Sequence, residues 1–135
     1  MPGKKLTPKT LEFLEGRHFG KLGTVMKDGS PHVTPIWYMV DDGKLIVNTT
    51  NTRVKYFNIR RDRRVCLLVD DGYPYVIIFG KGRIAKERDG KEDIESLAIR
   101  YQGEERGKKS ARAVYWKQPR VSIEIVPERV VSGLG

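Results

Sequence analysis

Three of the four Asp-Gly pairs of this chain lie between apolar segments, and they constrain its fold more than any other feature. They stand in KDGSP at 27–31, DDGK at 41–44 and DGYP at 71–74. Asp-Gly between apolar runs is a strong signal for a tight hairpin turn, so the flanking runs predict antiparallel strands. The predicted strands cover 18–26, 32–40, 44–49, 64–70, 75–87 and 120–131. This pattern predicts a mainly β fold, a small antiparallel β-barrel rather than a parallel sheet.

Helical signals occur at the start of the chain and between the strands. Helices are predicted over 6–15, over 53–61 and from Asp89 onward. The third of these has an apolar stripe at helical spacing, which comprises Ile94, Leu97, Ala98 and Tyr101. The polar run QGEERGKKSAR at 102–112 predicts a loop. We therefore expect two or three helices at the ends of a β-barrel.

Length and composition indicate the class of protein. A chain of 135 residues fits one domain, 1–135, which can bury a core without disulfides. Its single cysteine, Cys66, excludes an intramolecular disulfide and indicates a reducing compartment. The N-terminal residues lack the apolar stretch of a signal peptide, and no segment has the roughly 18 continuous apolar residues of a membrane span. We therefore expect a soluble, cytoplasmic protein with no membrane partner.

The net charge of +9 is concentrated in two segments. Residues 53–64 hold six basic residues and one acidic residue, and residues 100–120 hold seven basic residues and two acidic ones. Concentrated positive charge is typical of a site for phosphate or another polyanion, although a solvated basic surface has the same composition. The charge pattern leaves both interpretations open.

Few residues suggest chemistry carried out by the protein's own side chains. His18, His32 and Cys66 have no metal-ligand spacing, so no metal site is predicted. No serine stands in a G-x-S-x-G motif, and no local context pairs the cysteine with a histidine. We therefore predict no catalytic side chain.

The stretch VNTTNTRVKYFN at 47–58 combines hydroxyl, amide and basic side chains at the start of a predicted helix. Hydroxyl groups, the backbone N–H groups of a helix N-terminus and the cations of Arg53 and Lys55 together suit a phosphate. Thr and Asn also cap helices where no ligand is bound. The stretch is therefore a candidate phosphate site.

Two motifs within residues 23–70 carry a family resemblance: DGSPHVTPIW at 28–37 and NIRRDRRV at 58–65. In these motifs the chain resembles the pyridoxamine 5′-phosphate oxidase-like superfamily, whose members bind FMN or the deazaflavin F420. The resemblance implies a split β-barrel of six or seven antiparallel strands with Greek-key connections. It also implies a homodimer with cofactor sites at the subunit interface, and a small-molecule substrate.

The resemblance further implies which residues contact the cofactor. The strand along the ring corresponds to Val33, Thr34, Pro35, Ile36 and Trp37. The hydroxyl-rich strand end corresponds to Asn48, Thr49, Thr50 and Thr52, and the phosphate-binding cations to Arg53 and Lys55. Asn58 and Arg60 on the same helix could reach the ribityl chain or the phosphate, and Trp116 and Arg120 could close the site. Trp37 equally fits a core aromatic, and the pair Trp116 and Arg120 fits an anchor for the last strand.

We therefore predict an FMN- or F420-dependent oxidoreductase that transfers a hydride to or from a small organic substrate. Pyridoxamine 5′-phosphate is not the expected substrate, because the chain has no counterpart of the additional segments of the true oxidases. A broad basic groove suits the polyglutamate tail of F420, whereas FMN needs only the compact site around Arg53 and Lys55.

Two alternatives stay open. The first is a cofactor carrier or sensor without turnover. The second is a single-stranded nucleic-acid-binding barrel that uses Tyr56, Phe57, Tyr115 and Trp116. The assignment of one basic segment to a phosphate weakens the nucleic-acid hypothesis.

Overall fold

The Asp-Gly turns organise a seven-stranded antiparallel sheet in the computed structural model, which describes residues 6–134. The elements are α1 (Pro8–Glu15), β1 (Gly20–Val25), β2 (Pro31–Ile36), β3 (Met39–Asp41), β4 (Lys44–Thr50), α2 (Val54–Arg61), β5 (Arg64–Asp70), β6 (Tyr75–Ile84), α3 (Gly90–Gln102), α4 (Glu104–Ala113), a short 3₁₀ helix (Tyr115–Lys117) and β7 (Arg120–Gly133). The three turns join β1 to β2, β3 to β4 and β5 to β6, all antiparallel neighbours. The hairpin predictions and the mainly β fold are confirmed.

The order of the strands produces a barrel with one opening. In the sheet they run β2-β1-β5-β6-β7-β4-β3, so the two outermost strands, β2 and β3, are consecutive in the chain. Trp37 and Tyr38 alone connect them, which brings the two edges of the sheet together. The three-residue β3 pairs only with residues 44–46 of β4, so residues 47–50 have no strand on that side. We call the opening between β2 and residues 47–50 of β4 the split.

Aliphatic side chains fill the interior of the barrel. Those with almost no exposed surface include Leu22, Leu45, Val47, Leu67, Ile78 and Ile125. Each such side chain contributes about 1.5–3 kcal/mol when it is removed from water. Outside the sheet, α2 packs against β1, β4 and β6, and α3 packs against β4 and β7. Both helices therefore contact β4, at whose end the candidate phosphate site begins.

Two predicted elements differ in the structure. The strand expected over 32–40 is two strands, because Trp37 and Tyr38 leave the sheet to cross from β2 to β3. The prediction of a loop over 102–112 is wrong, because Glu104–Ala113 forms α4. The buried residues of α4 are Gly107 and Ala111, which carry almost no apolar surface. The buried face of α4 therefore leaves no hydrophobic periodicity in the sequence.

None of the helices between residues 6 and 134 has the length and apolar content that a membrane span requires.

Candidate functional site

A cavity of about 300 Å³ occupies the split. One wall comes from the end of β2 and the residue after it, through Pro35, Ile36 and Trp37. Across the split lie the end of β4 and the start of α2, through Asn48, Thr49, Thr50, Arg53 and Lys55. The remaining lining residues are Phe19, Ile94, Leu97, Tyr115 and Arg120. The cavity therefore has a basic, hydroxyl-bearing part and an aromatic, apolar part.

Three cations converge on the basic part: Arg53, Lys55 and Arg120, which we call the cation cluster. Burial lowers the pKa of Lys55 below its ordinary value, and the neighbouring charges of Arg53 and Arg120 lower it further. Burial and the charge of Arg53 likewise lower the pKa of Arg120. Within residues 6–134, no carboxylate forms a salt bridge with any of the three. Two partly buried cations beside an exposed third, without a counter-ion, are a setting in which an external anion binds well.

The hydroxyl groups near the cation cluster belong to threonines at the end of β4 and just after it. Thr49 and Thr50 are buried, and the Oγ1 atoms of Thr50 and Thr52 lie 2.9 Å apart. Arg53 caps α2 with its backbone alone, because no side chain hydrogen-bonds to the first N–H groups of this helix. The helix N-terminus thus adds unpaired donors to the cation cluster.

Aromatic rings form the other part of the cavity. The indole of Trp37 stacks on Tyr101, with ring centroids 5.2 Å apart and planes 8° from parallel. Tyr115 meets Trp37 edge-on at 6.0 Å, and Phe19 stacks on the ring of Tyr101 at 5.4 Å. Offset-stacked and edge-to-face contacts of this kind add stability beyond the buried area. The aromatic part is therefore a fixed surface against which a planar ring can lie.

The C-terminal end of α3 holds the connection between β2 and β3 in place. The guanidinium of Arg100 donates to the carbonyl oxygens of Leu14, Glu15, Gly16 and Tyr38 at 2.7–3.1 Å. The hydroxyl of Tyr101 donates to the carbonyl of His18 at 2.6 Å and accepts from the backbone N–H of Tyr38 at 3.2 Å. These hydrogen bonds fix the backbone of Tyr38, and with it the neighbouring Trp37.

The structure brings most of the predicted site residues together at this cavity. Those that line it are Pro35, Ile36, Trp37, Asn48, Thr49, Thr50, Arg53, Lys55 and Arg120. Thr52 does not line the cavity, but its hydroxyl is hydrogen-bonded to that of Thr50, which does. Thr34, on the same strand as Pro35, has a buried Oγ1 with no hydrogen-bond partner in the structure.

Four other predicted residues point elsewhere. The buried amide of Asn58 donates to Thr24 Oγ1 at 3.0 Å and accepts from Arg61 at 2.7 Å, which uses the side chain inside the fold. Arg60 is exposed and lies over the ring of Tyr56. Trp116 Nε1 donates to the carbonyl of Lys91 at 2.9 Å, which anchors the 3₁₀ helix to α3. Val33 faces the outside of the barrel and is 62% exposed.

Sequence reasoning missed four lining residues: Phe19, Ile94, Leu97 and Tyr115. Ile94 and Leu97 belong to the apolar stripe of α3, which is the signature of any helix that packs on a core. Phe19 and Tyr115 are single aromatics outside the strands and carry no motif. Of the four aromatic residues in the nucleic-acid hypothesis, Tyr115 lines this cavity and Tyr56, Phe57 and Trp116 do not.

The outer face of the sheet carries an unusual amount of apolar surface. Val33, Gly23, Cys66 and Phe79 stand in register across β2, β1, β5 and β6, and side chains directly opposite each other share a face. A second row on the same face comprises Pro35, Lys21, Leu68, Ile77 and Val131, of which only Lys21 is charged. A groove of about 470 Å³ runs along it. The exposed face of an antiparallel sheet is normally polar, so this outer face has the composition of a covered one.

No group of histidine, cysteine and carboxylate side chains within residues 6–134 has the arrangement of a metal site.

Comparison with proteins of known structure places this geometry in a family. A crystal structure of a conserved hypothetical protein from Mycobacterium tuberculosis superposes with a TM-score of 0.75 at 30% identity, which covers 92% of this chain and 81% of that chain. The structure of an F420 reductase superposes with a TM-score of 0.71 at 27% identity, which covers 89% of this chain and 94% of that one.

Sequence comparison gives the same assignment. Over 69 residues the chain is 29% identical to the 5a,11a-dehydrotetracycline/5a,11a-dehydrooxytetracycline reductase of Streptomyces rimosus, with coverage of 48% of this chain and 49% of that protein. The chain thus spans about half the length of this curated relative. The family model of pyridoxamine 5′-phosphate oxidase matches residues 6–132, nearly the whole chain. The chain therefore belongs to the pyridoxamine 5′-phosphate oxidase family of split β-barrels.

Proposed function

We propose that the protein is an oxidoreductase that binds FMN or F420 in the split and transfers a hydride to or from a small organic substrate. One observation carries this proposal: the uncompensated cation cluster lies in the same cavity as a fixed aromatic wall. A phosphorylated ring system combines the two complementary features, an anion at one end and a flat apolar surface at the other. Family membership and the two reductases among the similar proteins support the same reaction class.

The residues present fit such a cofactor. Arg53, Lys55 and Arg120 would hold its phosphate together with the N-terminus of α2. Pro35, Ile36 and Trp37 would flank the ring, and the edge of β2 at the split is not paired with another strand. The buried, unpartnered Oγ1 of Thr34 on that strand suits a polar atom of the ring system.

The protein's part in the reaction is to bind, orient and exclude water. The cofactor, when bound, supplies the redox chemistry. The lining residues include no histidine, cysteine or carboxylate, so no lining side chain of these types could serve as general base. In this proposal the aromatic wall is the part of the protein that faces the substrate.

The choice between FMN and F420 depends on the second basic segment, 100–120. Several of its cations already have structural partners: Arg100 binds the end of α1, Lys108 pairs with Glu104, and Arg112 pairs with Glu95. The F420 reductase among the similar structures favours F420. Mass spectrometry of the small molecule released on denaturation would identify the cofactor directly.

The test of the cofactor site is the double variant Arg53→Ala with Lys55→Ala. We expect it to fold normally and to lose FMN and F420, because two of the three phosphate-binding charges are removed. A control with the same change in net charge, Lys9→Ala with Lys86→Ala, alters two exposed lysines outside both the cavity and the second basic segment. Cofactor affinity that is equal in the two double variants, by fluorescence titration, would contradict the proposed site.

Turnover separates an enzyme from a carrier or sensor, since both would bind the cofactor. Reduction of the bound cofactor under single-turnover conditions, followed by its reoxidation with candidate acceptors, measures this directly. A cofactor that is held but never reoxidised faster than in free solution would favour the carrier.

We further propose a homodimer in which a second copy covers the outer face. Val33 on this face is mostly exposed in the single chain, and the register row that contains it is uncharged as far as Phe79, where Arg129 of β7 ends it. Pro35 stands two residues further along β2, so it projects to the same face, and it also lines the cavity. A second copy on this face would therefore lie beside the cofactor site.

A further inference from the structure

The side chain of Asn48 connects the cation cluster to the start of α3. Its Oδ1 accepts a hydrogen bond from Arg120 Nε at 2.9 Å, and its Nδ2 donates to the carbonyl of Gly90 at 3.0 Å. A carbonyl oxygen can only accept, so the amide nitrogen must face Gly90 and the amide oxygen must face Arg120. The orientation of the amide is thus fixed by the chemistry of its neighbours, and both of its ends are occupied within the protein.

A buried ion pair lies behind Asn48. Asp93 is only 7% exposed, and its carboxylate accepts from Arg88 at 2.7 and 3.1 Å and from Ser122 Oγ at 2.6 Å. Asn48 Nδ2 also lies 3.4 Å from Ser122 Oγ, so Ser122 joins the two groups. Asp93 forms its salt bridge with Arg88, which also pairs with Asp41 at 2.8 Å, and it forms none with the cation cluster. The neutral amide of Asn48 stands between the buried ion pair and the cavity.

Arg120 therefore reaches the cavity with its orientation fixed and its charge intact. Its other contacts are a long one from Nη1 to Gln118 Oε1 at 3.5 Å and the ring of Tyr115, 5.8 Å from the guanidinium carbon. Burial and the neighbouring charge of Arg53 lower the pKa of Arg120.

We propose that Asn48 is a positioning residue that holds Arg120 in the cavity with its charge uncompensated, so that Arg120 completes the anion-binding cluster with Arg53 and Lys55. This inference rests on the proposed function. It assigns Asn48 a role through Arg120 and no contact of its own amide with the cofactor. An aspartate at this position would pair with Arg120 and would face the carbonyl of Gly90 with a second acceptor. The position therefore requires an amide rather than a carboxylate.

The test is a double-mutant cycle between Asn48→Ala and Arg120→Gln. Affinities for FMN and for inorganic phosphate are measured by calorimetry on the cofactor-free protein. We expect Asn48→Ala to weaken both by about tenfold, the usual size of an effect on a hydrogen bond to a charged group. We expect no further weakening when it is added to Arg120→Gln, because its effect passes through Arg120. Asn51→Ala, an exposed amide in the adjoining turn, is the control and should bind as the wild type does.

Asn48→Asp provides a second, independent variant. It should weaken phosphate binding more than Asn48→Ala, because it neutralises Arg120 as well as releasing Gly90. Urea unfolding of each cofactor-free variant shows whether a loss of affinity merely follows a loss of stability. A purely structural role for Asn48 would lower stability and leave the affinities of the folded proteins unchanged.

These measurements distinguish a failure of the positioning role of Asn48 from a failure of the proposed function. Asn48→Ala could weaken ligand binding by the same factor in the wild-type protein and in the Arg120→Gln variant. That result would show that Asn48 contacts the ligand itself, which overturns the positioning role. Wild-type affinity in Asn48→Ala would overturn it as well. A wild-type protein that binds neither FMN, F420 nor phosphate would overturn the proposed function, and the positioning role with it.

Discussion

At the scale of single residues, two threonines on the inner face of the β1–β2 pair stand in opposite situations. Thr24 Oγ1 is buried and accepts a hydrogen bond from the amide of Asn58. Thr34 Oγ1 is also buried, yet it has no partner in the structure. A buried hydroxyl without a partner lowers the free energy of unfolding, because it lost its bonds to water and gained none. The hydroxyl of Thr34 therefore lowers the stability of the cofactor-free fold, whereas that of Thr24 does not.

The substitution Thr34→Val tests this difference. It should leave the free energy of unfolding of the cofactor-free protein unchanged or raise it, because an unsatisfied hydroxyl becomes a methyl group of the same shape. It should also weaken the binding of FMN or F420. The matched control Thr24→Val breaks a satisfied bond and should destabilise the protein by about 1–3 kcal/mol. Urea unfolding measures both variants, and a Thr34→Val protein less stable than Thr24→Val would contradict the reasoning.

Single residues differ in how far the sequence alone determines their place in the site. Arg53 and Lys55 follow a hydroxyl-rich strand end and open a helix, so local geometry alone directs them toward the same place. Asn58 lies on the same helix, but its amide turns inward to Thr24, which is 34 residues earlier in the chain. The direction of Asn58 depends on packing partners that no local pattern encodes. The same holds for Trp116, whose indole is fixed by a backbone carbonyl of another helix.

At the scale of elements, α4 shows a helix held by contact between backbones. A Cβ atom added to Gly107 would lie 2.5 Å from the backbone nitrogen of Ile99 in α3, which leaves no room for a side chain. Intrinsic propensity disfavours glycine within a helix by about 1 kcal/mol relative to alanine. Here close approach to α3 outweighs propensity, so glycine at position 107 serves the packing of the two helices.

This makes Gly107→Ala a test in which propensity and packing predict opposite signs. Packing predicts that the variant is destabilised by about 1–3 kcal/mol, the usual cost of overpacking. Propensity alone predicts stabilisation. Lys109→Ala changes an exposed residue of the same helix and should alter stability by less than about 0.5 kcal/mol. Thermal unfolding of the two variants decides between the signs, and a Gly107→Ala protein more stable than the wild type would contradict the close packing.

Elements with their own turn chemistry were predictable, whereas those that depend on distant partners were not. The Asp-Gly turns fix three hairpins locally, because glycine accepts the backbone conformation that they need. The break between β2 and β3 has no local cause, since no glycine lies between Ile36 and Met39. It is held by Arg100 and Tyr101, more than 60 residues away in sequence. The strand predicted over 32–40 was therefore too long.

At the scale of the whole molecule, the barrel presents two surfaces with different requirements. The split needs an anion and a flat ring to satisfy its cations and aromatic wall. The outer face needs an apolar cover, because its cross-strand rows from Val33 to Phe79 and from Leu68 to Val131 are uncharged, with Arg129 and Lys21 at their ends. Pro35 belongs to both surfaces, so a second copy and a cofactor would be neighbours.

The dimer is tested by Leu68→Arg, which places a charge in the middle of the outer face. We expect a dimer in the wild type and a monomer in the variant, because a buried, unpaired guanidinium is costly. We also expect weaker cofactor binding in the monomer, since the partner would border the site. Tyr73→Arg is the control: Tyr73 is 93% exposed in a turn and should not affect assembly. Sedimentation equilibrium that gives the same mass for Leu68→Arg and the wild type would place the interface elsewhere.

The two-residue connection across the split also bears on how a ligand enters and leaves. Trp37 and Tyr38 connect the two edges of the sheet covalently. Arg100 and Tyr101 hold this connection in place through hydrogen bonds to the backbone of Tyr38. The two-residue connection therefore limits the width of the split, and we expect the split not to widen for a larger ligand. Exchange of a ligand needs no opening of the barrel, and the empty and filled forms should have nearly the same backbone. Adaptation of such a barrel to new substrates would then proceed by replacing wall side chains such as Phe19 and Tyr115, while the frame that holds the anion stays unchanged.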